Sequence, residues 1–415
     1  MSHGNWKDMF KAVQENHVEL IEFYIRQGID LNYQHPEYMT SPLIESVRYN
    51  HLEITKLLLA NGALPEIKEV YSNKSAVEIA NDLGNNEAIT IINQYLSPSK
   101  RLNIKIQKKS MKAVICTKYG SPEVLQIREI PKPIPKDNEI LVRIYASAVN
   151  SGDVRVRSLD VRGLMKVIMR MVLGFSKPKK PILGTVFSGV VETVGNKVSK
   201  FKVGDKVFGM TGFNFGTYAE YIAINQKSNV IEMPNNATFE EAVAIIFGGQ
   251  TAIYFLEKAK IAAKPNSKIL IIGATGSVGT AAIQIAKHHK ADITTVCSSE
   301  GLGLVNELGV KNAILYDKED FTKQTEKFDI IFDAVGKSNK KQCRNLLTKN
   351  GIYKSVSSGY ASETIQQLQL LKKLFEKREL RAVIDKTFPM REIIDAHKYV
   401  DTGRKKGNVV LKISE

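Results

Sequence analysis

The spacing of apolar and polar residues changes twice along this 415-residue chain. Over residues 1–96, apolar positions recur at helical spacing in short segments, which predicts short amphipathic helices. Over residues 111–235, short β-rich runs are interrupted by Gly and Pro, a pattern typical of a small barrel or sandwich. From 236 to about 375, buried strand-like runs alternate with helical segments, which predicts a doubly wound parallel sheet. The sequence therefore predicts a multidomain protein.

The first 96 residues contain an internal repeat. His17 and Gly28 recur 34 positions later as His51 and Gly62, and a third copy has lost the closing glycine. One unit of this length cannot bury its own apolar face, so stacked repeats are expected. The period, together with Ser41-Pro42-Leu43 at the start of a helix pair, resembles ankyrin repeats. This resemblance implies an α-helical solenoid that binds a protein partner.

The remaining boundaries follow from composition. Residues 97–110 contain Pro98 and five Lys or Arg residues without a long apolar face, as expected of a linker. The segment 380–415 ends in the apolar run from Asn408, which is expected to form a strand that returns to the 111–235 region. The predicted organisation is a repeat module (1–96), a linker (97–110), a β-rich domain (111–235, completed by 380–415) and an α/β domain (236–379).

A strand, a glycine turn, a helix and a second strand succeed one another between Lys268 and Ser299. Glycines at three-residue spacing let the backbone approach a pyrophosphate, and the free N–H groups of the helix then face its negative charge. The alternative is an ordinary turn whose glycines serve only packing. The position between a buried strand and an amphipathic helix favours dinucleotide binding. The predicted binding residues of this turn are Gly273, Gly276, Ser277, Val278 and Gly279.

Further motifs follow in order after residue 111. They are Asn150-Ser-Gly-Asp153, Gly184-Thr-Val-Phe-Ser-Gly189, Gly216-Thr-Tyr-Ala-Glu220, Gly248-Gly-Gln-Thr251 and Asp333-Ala-Val-Gly336. Together with the glycine turn they resemble the medium-chain dehydrogenase/reductase superfamily, in its zinc-free quinone oxidoreductase-like branch, over nearly all of residues 111–415. The resemblance implies a GroES-like β-barrel, a Rossmann domain and a nicotinamide cofactor in the cleft between them. Further cofactor-binding residues that it implies are Thr251, Tyr316, Val335 and Gly336.

The composition argues against a metal site. A catalytic zinc needs about three Cys, His or carboxylate ligands, but residues 111–235 contain one cysteine, Cys116, and no histidine. Thr185-Val186 stands where zinc-dependent relatives carry His-Glu. We therefore expect no metal, and no Lewis acid to stabilise an alkoxide. Hydride transfer to a quinone or an α,β-unsaturated carbonyl is then favoured over alcohol oxidation.

Three side chains are candidate donors for the oxyanion that develops on such an acceptor: Asn150, Thr185 and Tyr218. Asn150 matches the family's cleft asparagine, but an asparagine that closes a barrel turn is the alternative. Tyr218 could equally pack the barrel.

The end of the second Rossmann strand bears on the choice of cofactor. Enzymes that use NAD place a carboxylate there to bind the ribose 2′-hydroxyl. Here Ser298 and Ser299 leave room for a 2′-phosphate, whereas Glu300 argues for NADH. The basic residue that the family usually carries shortly afterwards is missing. Tyr316 stands where relatives have a tyrosine beside the 2′-phosphate. We expect NADPH, with NADH as the alternative.

The segment Val161–Phe175 is rich in Met and carries Arg162, Lys166 and Arg170 at four-residue spacing, which predicts a helix with one basic stripe. It is interpreted either as a core or dimer-interface helix or as a lid over a lipophilic substrate. Lys177, Lys179 and Lys180 follow and could touch an anionic membrane surface.

Charge and cysteine usage limit the functional classes. Residues 1–99 carry a net charge of −6 and the remainder +22, but the lysines are dispersed, so nucleic-acid binding is not expected. The three cysteines form no CxxC motif, which indicates a reducing compartment. No signal-peptide core is seen, and no apolar run approaches the ~20 residues of a membrane span. We expect a cytoplasmic homodimer.

The sequence therefore predicts a zinc-independent NAD(P)H-dependent oxidoreductase with an ankyrin interaction module. Two alternatives remain open: a nucleotide-binding redox-sensing scaffold that recruits a partner protein, and a zinc-free alcohol or aldehyde oxidoreductase.

Overall fold

A computed structural model of the protein describes residues 4–34, 36–96, 110–160 and 164–414, apart from the side chains of residues 4–5 and 164–168. The chain forms two compact units, residues 1–108 and 109–415. Almost all of the predicted linker lies outside the described residues.

The described part of the first unit consists of paired short helices. The helices are α1 (Gly4–Gln14), α2 (Val18–Arg26), α3 (Pro42–Arg48), α4 (Leu52–Ala60), α5 (Ala76–Asp82) and α6 (Asn86–Asn93). Asn16, Asn50 and Gly84 occupy the turn between the two helices of each pair with φ of 59°, 60° and 69°, because Asn and Gly tolerate the left-handed region. The helices share one apolar core that includes Ile21 and Ile54. The predicted ankyrin solenoid is confirmed.

The second unit contains strands and helices in the following order. They are β1 (Ser110–Cys116), β2 (Leu125–Pro131), β3 (Glu139–Val149), α7 (Ser151–Ser158), α8 (Leu164–Leu173), β4 (Val186–Val194), β5 (Lys206–Met210), β6 (Tyr221–Asn225), β7 (Val230–Glu232), α9 (Phe239–Ala244), α10 (Ile246–Lys258), β8 (Lys268–Ile272), α11 (Ser277–His288), β9 (Asp292–Cys297), α12 (Leu302–Glu307), β10 (Asn312–Leu315), β11 (Phe328–Asp333), β12 (Leu347–Ser355), α13 (Ile365–Glu376), β13 (Ile384–Pro389), α14 (Ile393–Asp401) and β14 (Asn408–Lys412).

Seven strands form a mixed sheet in the order β13-β14-β3-β4-β5-β7, with β6 also paired to β3. β14 runs antiparallel to β3, with Val409 opposite Val149 and Val410 opposite Ala148. The last strand of the chain thus pairs with a strand that lies more than 250 residues earlier in the sequence. This pairing places residue 408 beside the end of β3.

The other large sheet is parallel, with the strand order β10-β9-β8-β11-β12. β8 is buried from Ile269 to Ile272, since helices cover both faces of such a sheet. The doubly wound parallel sheet predicted from the sequence is confirmed. Four of its five strands match the predicted apolar runs to within two residues, while β12 begins five residues before the predicted run.

One helical stretch of the described residues, Phe239–Lys258, is long and apolar enough by composition to cross a membrane, which the sequence analysis did not expect. Its most apolar window is 72% buried inside the protein. Helices α9 and α10, which make up this stretch, pack in the core beside the parallel sheet. Core helices of globular domains share these properties.

The Met-rich segment forms helix α8 over part of its predicted length, and residues 161–163 lie outside the described residues. Met169 is buried, and Leu173 packs against the mixed sheet. In contrast, Met171, Val172 and Phe175 are 53%, 64% and 69% exposed. The C-terminal end of the segment is therefore not a core helix. The lid over the substrate stays a prediction.

Candidate functional site

The three glycines of the turn after β8 have different roles. Gly273 has φ +77°, and a Cβ there would lie 2.4 Å from Val335 Cγ1. A Cβ on Gly279 would lie 2.2 Å from the Gly273 carbonyl oxygen. At Gly276 the nearest atom to an added Cβ is 3.8 Å away. The fold itself requires Gly273 and Gly279, while Gly276 leaves open a surface that a ligand can approach.

Helix α11 begins directly after Gly276, with Ser277, Val278 and Gly279 in its first turn. The N–H groups of this turn have no partner within the helix. A helix N-terminus with an open approach beside it suits a diphosphate. Ser277, Val278 and Gly279 are therefore placed as their predicted role requires.

Helix α10 packs closely against this turn. A Cβ on Gly248 would lie 2.3 Å from the Ser277 carbonyl oxygen. Thr251 lies nearly one helical turn further along α10. Its hydroxyl donates 2.7 Å to the Phe247 carbonyl oxygen of its own helix. Thr251 is thus near the site, with its hydroxyl engaged locally.

The loop after β11 lies next to the glycine turn. The fully buried carboxylate of Asp333 accepts hydrogen bonds from the N–H groups of Gly336 and Ser338, both at 2.8 Å. These bonds fix the loop with Gly336 at φ +70° and leave Val335 44% exposed beside Gly273. Val335 and Gly336 are thereby brought to the predicted site. The sequence analysis did not identify Asp333 as the residue that organises this loop.

The end of the second Rossmann strand meets the same turn. Ser298 and Ser299 follow β9 and are partly buried, and a Cβ on Gly301 would lie 2.6 Å from Thr275 Cγ2. Tyr316 is 60% exposed, and its N–H donates 3.0 Å to the Cys297 carbonyl oxygen. The three predicted residues Ser298, Ser299 and Tyr316 thus lie at one edge of the sheet.

A second carboxylate, Asp317, also lies at this edge. The Ser299 N–H donates 2.9 Å to Asp317 Oδ1. Hydrogen bonding from Ser299 lowers the pKa of Asp317, so the carboxylate is charged at neutral pH. The sequence analysis weighed Glu300 but did not consider Asp317. Its partner lies 18 residues away, and no local pattern marks the contact.

The side chain of Asn150 caps helix α7 and also donates a hydrogen bond. Its Oδ1 accepts from the N–H groups of Gly152 at 2.8 Å and Asp153 at 3.2 Å. Its Nδ2 donates 2.8 Å to Thr185 Oγ1. Both side chains are more than nine-tenths buried. The turn-closing role and the donor role are therefore compatible, because opposite ends of the amide perform them.

Tyr218 is fully buried in the core of the mixed sheet. Its hydroxyl donates 3.1 Å to Asp153 Oδ2. Burial, followed by the charge of Asp153, raises the pKa of Tyr218 well above its usual value. This geometry favours the packing role over direct proton donation to a substrate.

Asp153 also accepts from the Asn150 N–H, at 3.1 Å. Burial raises the pKa of Asp153 to about 7, against the opposing effect of the hydrogen bonds from Asn150 and Tyr218. Asp153 therefore holds the start of α7, and with it the amide of Asn150. The Asn-x-x-Asp spacing of a capping box was the sequence signal for this role.

Two further polar residues are buried at the contact between α7 and α14, Arg157 on α7 and His397 on α14. Arg157 donates to the carboxylate of Asp401 at 2.8 and 3.0 Å. Burial, with a smaller effect of the Arg157 charge, lowers the pKa of His397 to about 3. His397 is therefore neutral across the physiological range. We assign these residues to support of the site rather than to chemistry.

The strand pair β3–β14 connects the two groups of residues. Asn150 follows the end of β3, and Asn408 begins β14 beside it. The Ser277 hydroxyl donates to Asn408 Oδ1, while Gly407 forms a parallel bridge with Gly276. The donor pair Asn150–Thr185 and the N-terminus of α11 are therefore connected through the start of β14.

No group of three or more His, Cys, Asp or Glu side chains that could hold a metal occurs among the residues that the structure describes. Independence of zinc stays a prediction.

Comparisons with known proteins agree with this architecture. Residues 9–59 match the model for ankyrin repeats, residues 136–235 the alcohol dehydrogenase GroES-like domain, and residues 277–385 a model described as zinc-binding dehydrogenase. The 2-methylene-furan-3-one reductase of Solanum lycopersicum is 32% identical over 321 residues, which cover 72% of this chain and 79% of the relative.

Two other relatives agree. The chloroplastic NADPH-dependent alkenal/one oxidoreductase of Arabidopsis thaliana is 29% identical, over 73% of this chain and 80% of its own length. The structure of the quinone oxidoreductase from Coxiella burnetii has a TM-score of 0.65 and 27% identity, and the match covers 74% of this chain and all of that one.

Proposed function

Since the chain belongs to the quinone oxidoreductase-like branch of the medium-chain dehydrogenase/reductase family and also carries N-terminal ankyrin repeats, we propose that it reduces α,β-unsaturated carbonyl compounds or quinones with NADPH. The observation that carries this proposal is the amide–hydroxyl pair of Asn150 and Thr185, 2.8 Å apart, which the β3–β14 strand pair connects to the glycine turn.

A bound nicotinamide would supply the hydride, which is the chemistry that this chain lacks among its own side chains. Asn150 uses one amide N–H for Thr185, so its second N–H remains available. The hydroxyl proton of Thr185 is a second donor. Two neutral donors fixed in a buried site stabilise negative charge that develops on an acceptor oxygen. Neither side chain titrates, so neither is the net source of the proton that completes the reduction.

Several residues support NADPH over NADH. Ser298 and Ser299 are small, and Tyr316 presents an exposed ring at the same strand end. The Arabidopsis relative carries NADPH dependence in its name. Glu300 and Asp317 are carboxylates at this edge and favour the ribose hydroxyl of NADH.

We also propose that the reaction is independent of zinc and takes place in a reducing compartment such as the cytoplasm. Cys116, Cys297 and Cys343 are all free and buried. Burial raises the pKa of each of these thiols, that of Cys116 to about 11. Thiols in this state are poor nucleophiles and poor metal ligands.

The presence of the ankyrin unit supports a role in recruiting a protein partner. The same feature favours the redox-sensing scaffold as a second candidate function. Val70 and Tyr71, in the loop before α5, are 63% and 79% exposed. Exposed aromatic side chains are enriched where proteins bind one another. Dimerisation, and contact of Lys177, Lys179 and Lys180 with an anionic membrane surface, remain further proposals.

The test follows NADPH oxidation with enones, quinones and aldehydes, and NADP⁺ reduction with alcohols, in parallel. Turnover with enones or quinones, and none with alcohols, is expected. Nucleotide binding without turnover on any acceptor would favour the scaffold. Preference for aldehydes would favour the alcohol or aldehyde oxidoreductase.

A further inference from the structure

At this edge of the Rossmann sheet, Lys318 stands next to Asp317, and its charge helps to lower the pKa of that carboxyl. Helix α12 (Leu302–Glu307), which follows the second strand, contains no Lys or Arg. Glu300 and Asp317 would repel a 2′-phosphate at this place. Because Lys318 is set against the charge of Asp317, a preference for NADPH, on which this inference rests, is favoured by a further positive charge from elsewhere in the fold.

The structure brings Lys406 to this edge from the loop before β14. Its Nζ donates 2.9 Å to the main-chain carbonyl oxygen of Glu300, 106 residues earlier in the chain. Glu300 directly follows Ser298 and Ser299. An ammonium group has three N–H donors, and this contact uses one of them. Lys406 is partly exposed, so the other donors are open to a ligand.

Main-chain contacts on both sides fix this position. The Lys406 N–H donates 2.8 Å to Asp385 Oδ2, and the Gly407 N–H donates 2.7 Å to the Thr275 carbonyl oxygen in the glycine turn. The preceding lysine, Lys405, turns back and donates 2.7 Å to the Gly407 carbonyl oxygen. Of the two adjacent lysines, it is thus Lys406 that reaches the second strand.

We propose that Lys406 binds the 2′-phosphate of NADPH, and so takes the place of the basic residue that is missing after β9. A phosphate seated over Ser298 and Ser299 would receive a charge-assisted hydrogen bond from Nζ. The ring of Tyr316 lies at the same edge and can cover the adenosine. The cofactor would then be held from both sheets, because Lys406 belongs to the C-terminal loop.

The experiment measures the dissociation constants of NADPH, NADH and 2′,5′-ADP by titration calorimetry, without any acceptor. Lys406→Met should weaken the binding of NADPH and of 2′,5′-ADP about 10- to 100-fold. The dissociation constant of NADH should stay within about twofold of the wild-type value. Lys406→Gln keeps a donor for the Glu300 oxygen but removes the charge, and should behave in the same way. Arg404→Met removes one charge from an exposed position of the same loop and should leave the affinities for NADPH and NADH unchanged.

The outcomes are separable. Equal weakening of NADPH and NADH, or unchanged NADPH affinity in both Lys406 variants, would overturn the assignment of Lys406. If Lys406→Met does not fold, Lys406→Gln decides. A wild-type protein that binds NADH as tightly as NADPH would instead remove the cofactor preference itself. If the wild-type protein turned over none of the acceptors but still bound NADPH more tightly than NADH, the proposed reaction would be refuted and the assignment of Lys406 would stand.

Discussion

The backbone N–H of Gly407 donates a 2.7 Å hydrogen bond to the carbonyl oxygen of Thr275, which joins the loop before the last strand to the glycine turn. One residue on, Asn408 accepts from Ser277, and the following Val409 pairs with Val149 at the end of β3. The proposed nucleotide-binding edge and the proposed donor pair are thus held in register by consecutive residues of the C-terminal segment. Displacement of this segment would alter both sites together.

Substitution within the glycine turn should separate binding from folding. Gly276→Val is expected to weaken NADPH binding at least about tenfold, because the side chain would block the approach of the pyrophosphate to the backbone. The melting temperature should stay near that of wild type, because the nearest atom beyond the adjoining residues lies 3.8 Å from the added Cβ. Gly279→Ala should instead lower stability by about 1–3 kcal/mol or more, because its Cβ would meet a carbonyl oxygen. Calorimetry and thermal unfolding test the pair. Undiminished affinity in Gly276→Val would refute the role of the turn.

Removal of the amide donor should affect the chemical step. Asn150→Ser keeps an oxygen that caps α7 but loses the Nδ2 donor, so kcat should fall about 10²- to 10³-fold with NADPH affinity unchanged. Thr238→Ala removes an N-cap from α9, where the Thr238 hydroxyl accepts 3.2 Å from the Glu241 N–H. This control should cost about 1 kcal/mol of stability without loss of kcat. Similar kcat losses in both variants would point to stability alone.

The buried carboxyl of Asp153 should make stability depend on pH. Its pKa is raised to about 7 in the folded protein, against about 3.9 unfolded. Its contribution is therefore fully present below about pH 4 and is lost as pH rises through about 7. Neighbouring His397, with a pKa of about 3 folded and about 6.5 unfolded, makes stability rise with pH up to about 6.5; this opposite effect is common to wild type and variant, so the difference between them reports Asp153.

Asp153→Asn tests this prediction. The amide oxygen can still accept from Asn150 and Tyr218, but it does not ionise. The free energy of unfolding should fall less between pH 5 and 8 in the variant than in wild type, measured by urea denaturation. Each unit of pKa difference corresponds to about 1.4 kcal/mol, so a difference of roughly a few kcal/mol is expected. Identical pH profiles would exclude Asp153 as the titrating group.

Metal removal should leave the enzyme active. We expect turnover to persist after dialysis against a chelator, and elemental analysis to find far less than one zinc per chain. The donor pair of Asn150 and Thr185 consists of an amide and a hydroxyl, neither of which is a usual zinc ligand. One bound zinc per chain, with activity lost on its removal, would contradict this expectation.

The two compact units should fold separately. The ankyrin helices have their own apolar core around Ile21, Ile54 and Leu58, and the second unit starts at residue 109. A chain that begins at residue 109 is therefore expected to unfold cooperatively and to retain reductase activity. An insoluble or inactive product would show that the ankyrin unit supports the fold of the rest.

The sequence alone determined the features that depend on residues close together in the chain. Gly273, Gly276 and Gly279 could be recognised because a strand, a turn and a helix succeed one another within a short stretch, each with its own period. The ankyrin repeat was visible for the same reason, since its helices contact neighbouring repeats. Asn150 was found through its local motif, although its hydrogen bond to Thr185 spans 35 positions.

Only the tertiary structure decided the contacts that strand register creates between distant residues. Tyr218 meets Asp153 across 65 positions, which moves it from the donor candidates to the core. Lys406 reaches Glu300 because β14 returns to β3 and carries the preceding loop past the glycine turn. A one-residue slip in that ladder would turn alternate side chains to the opposite face. No local pattern around Glu300 or Lys406 contains this information, because the pairing of β14 with β3 sets the distance between them.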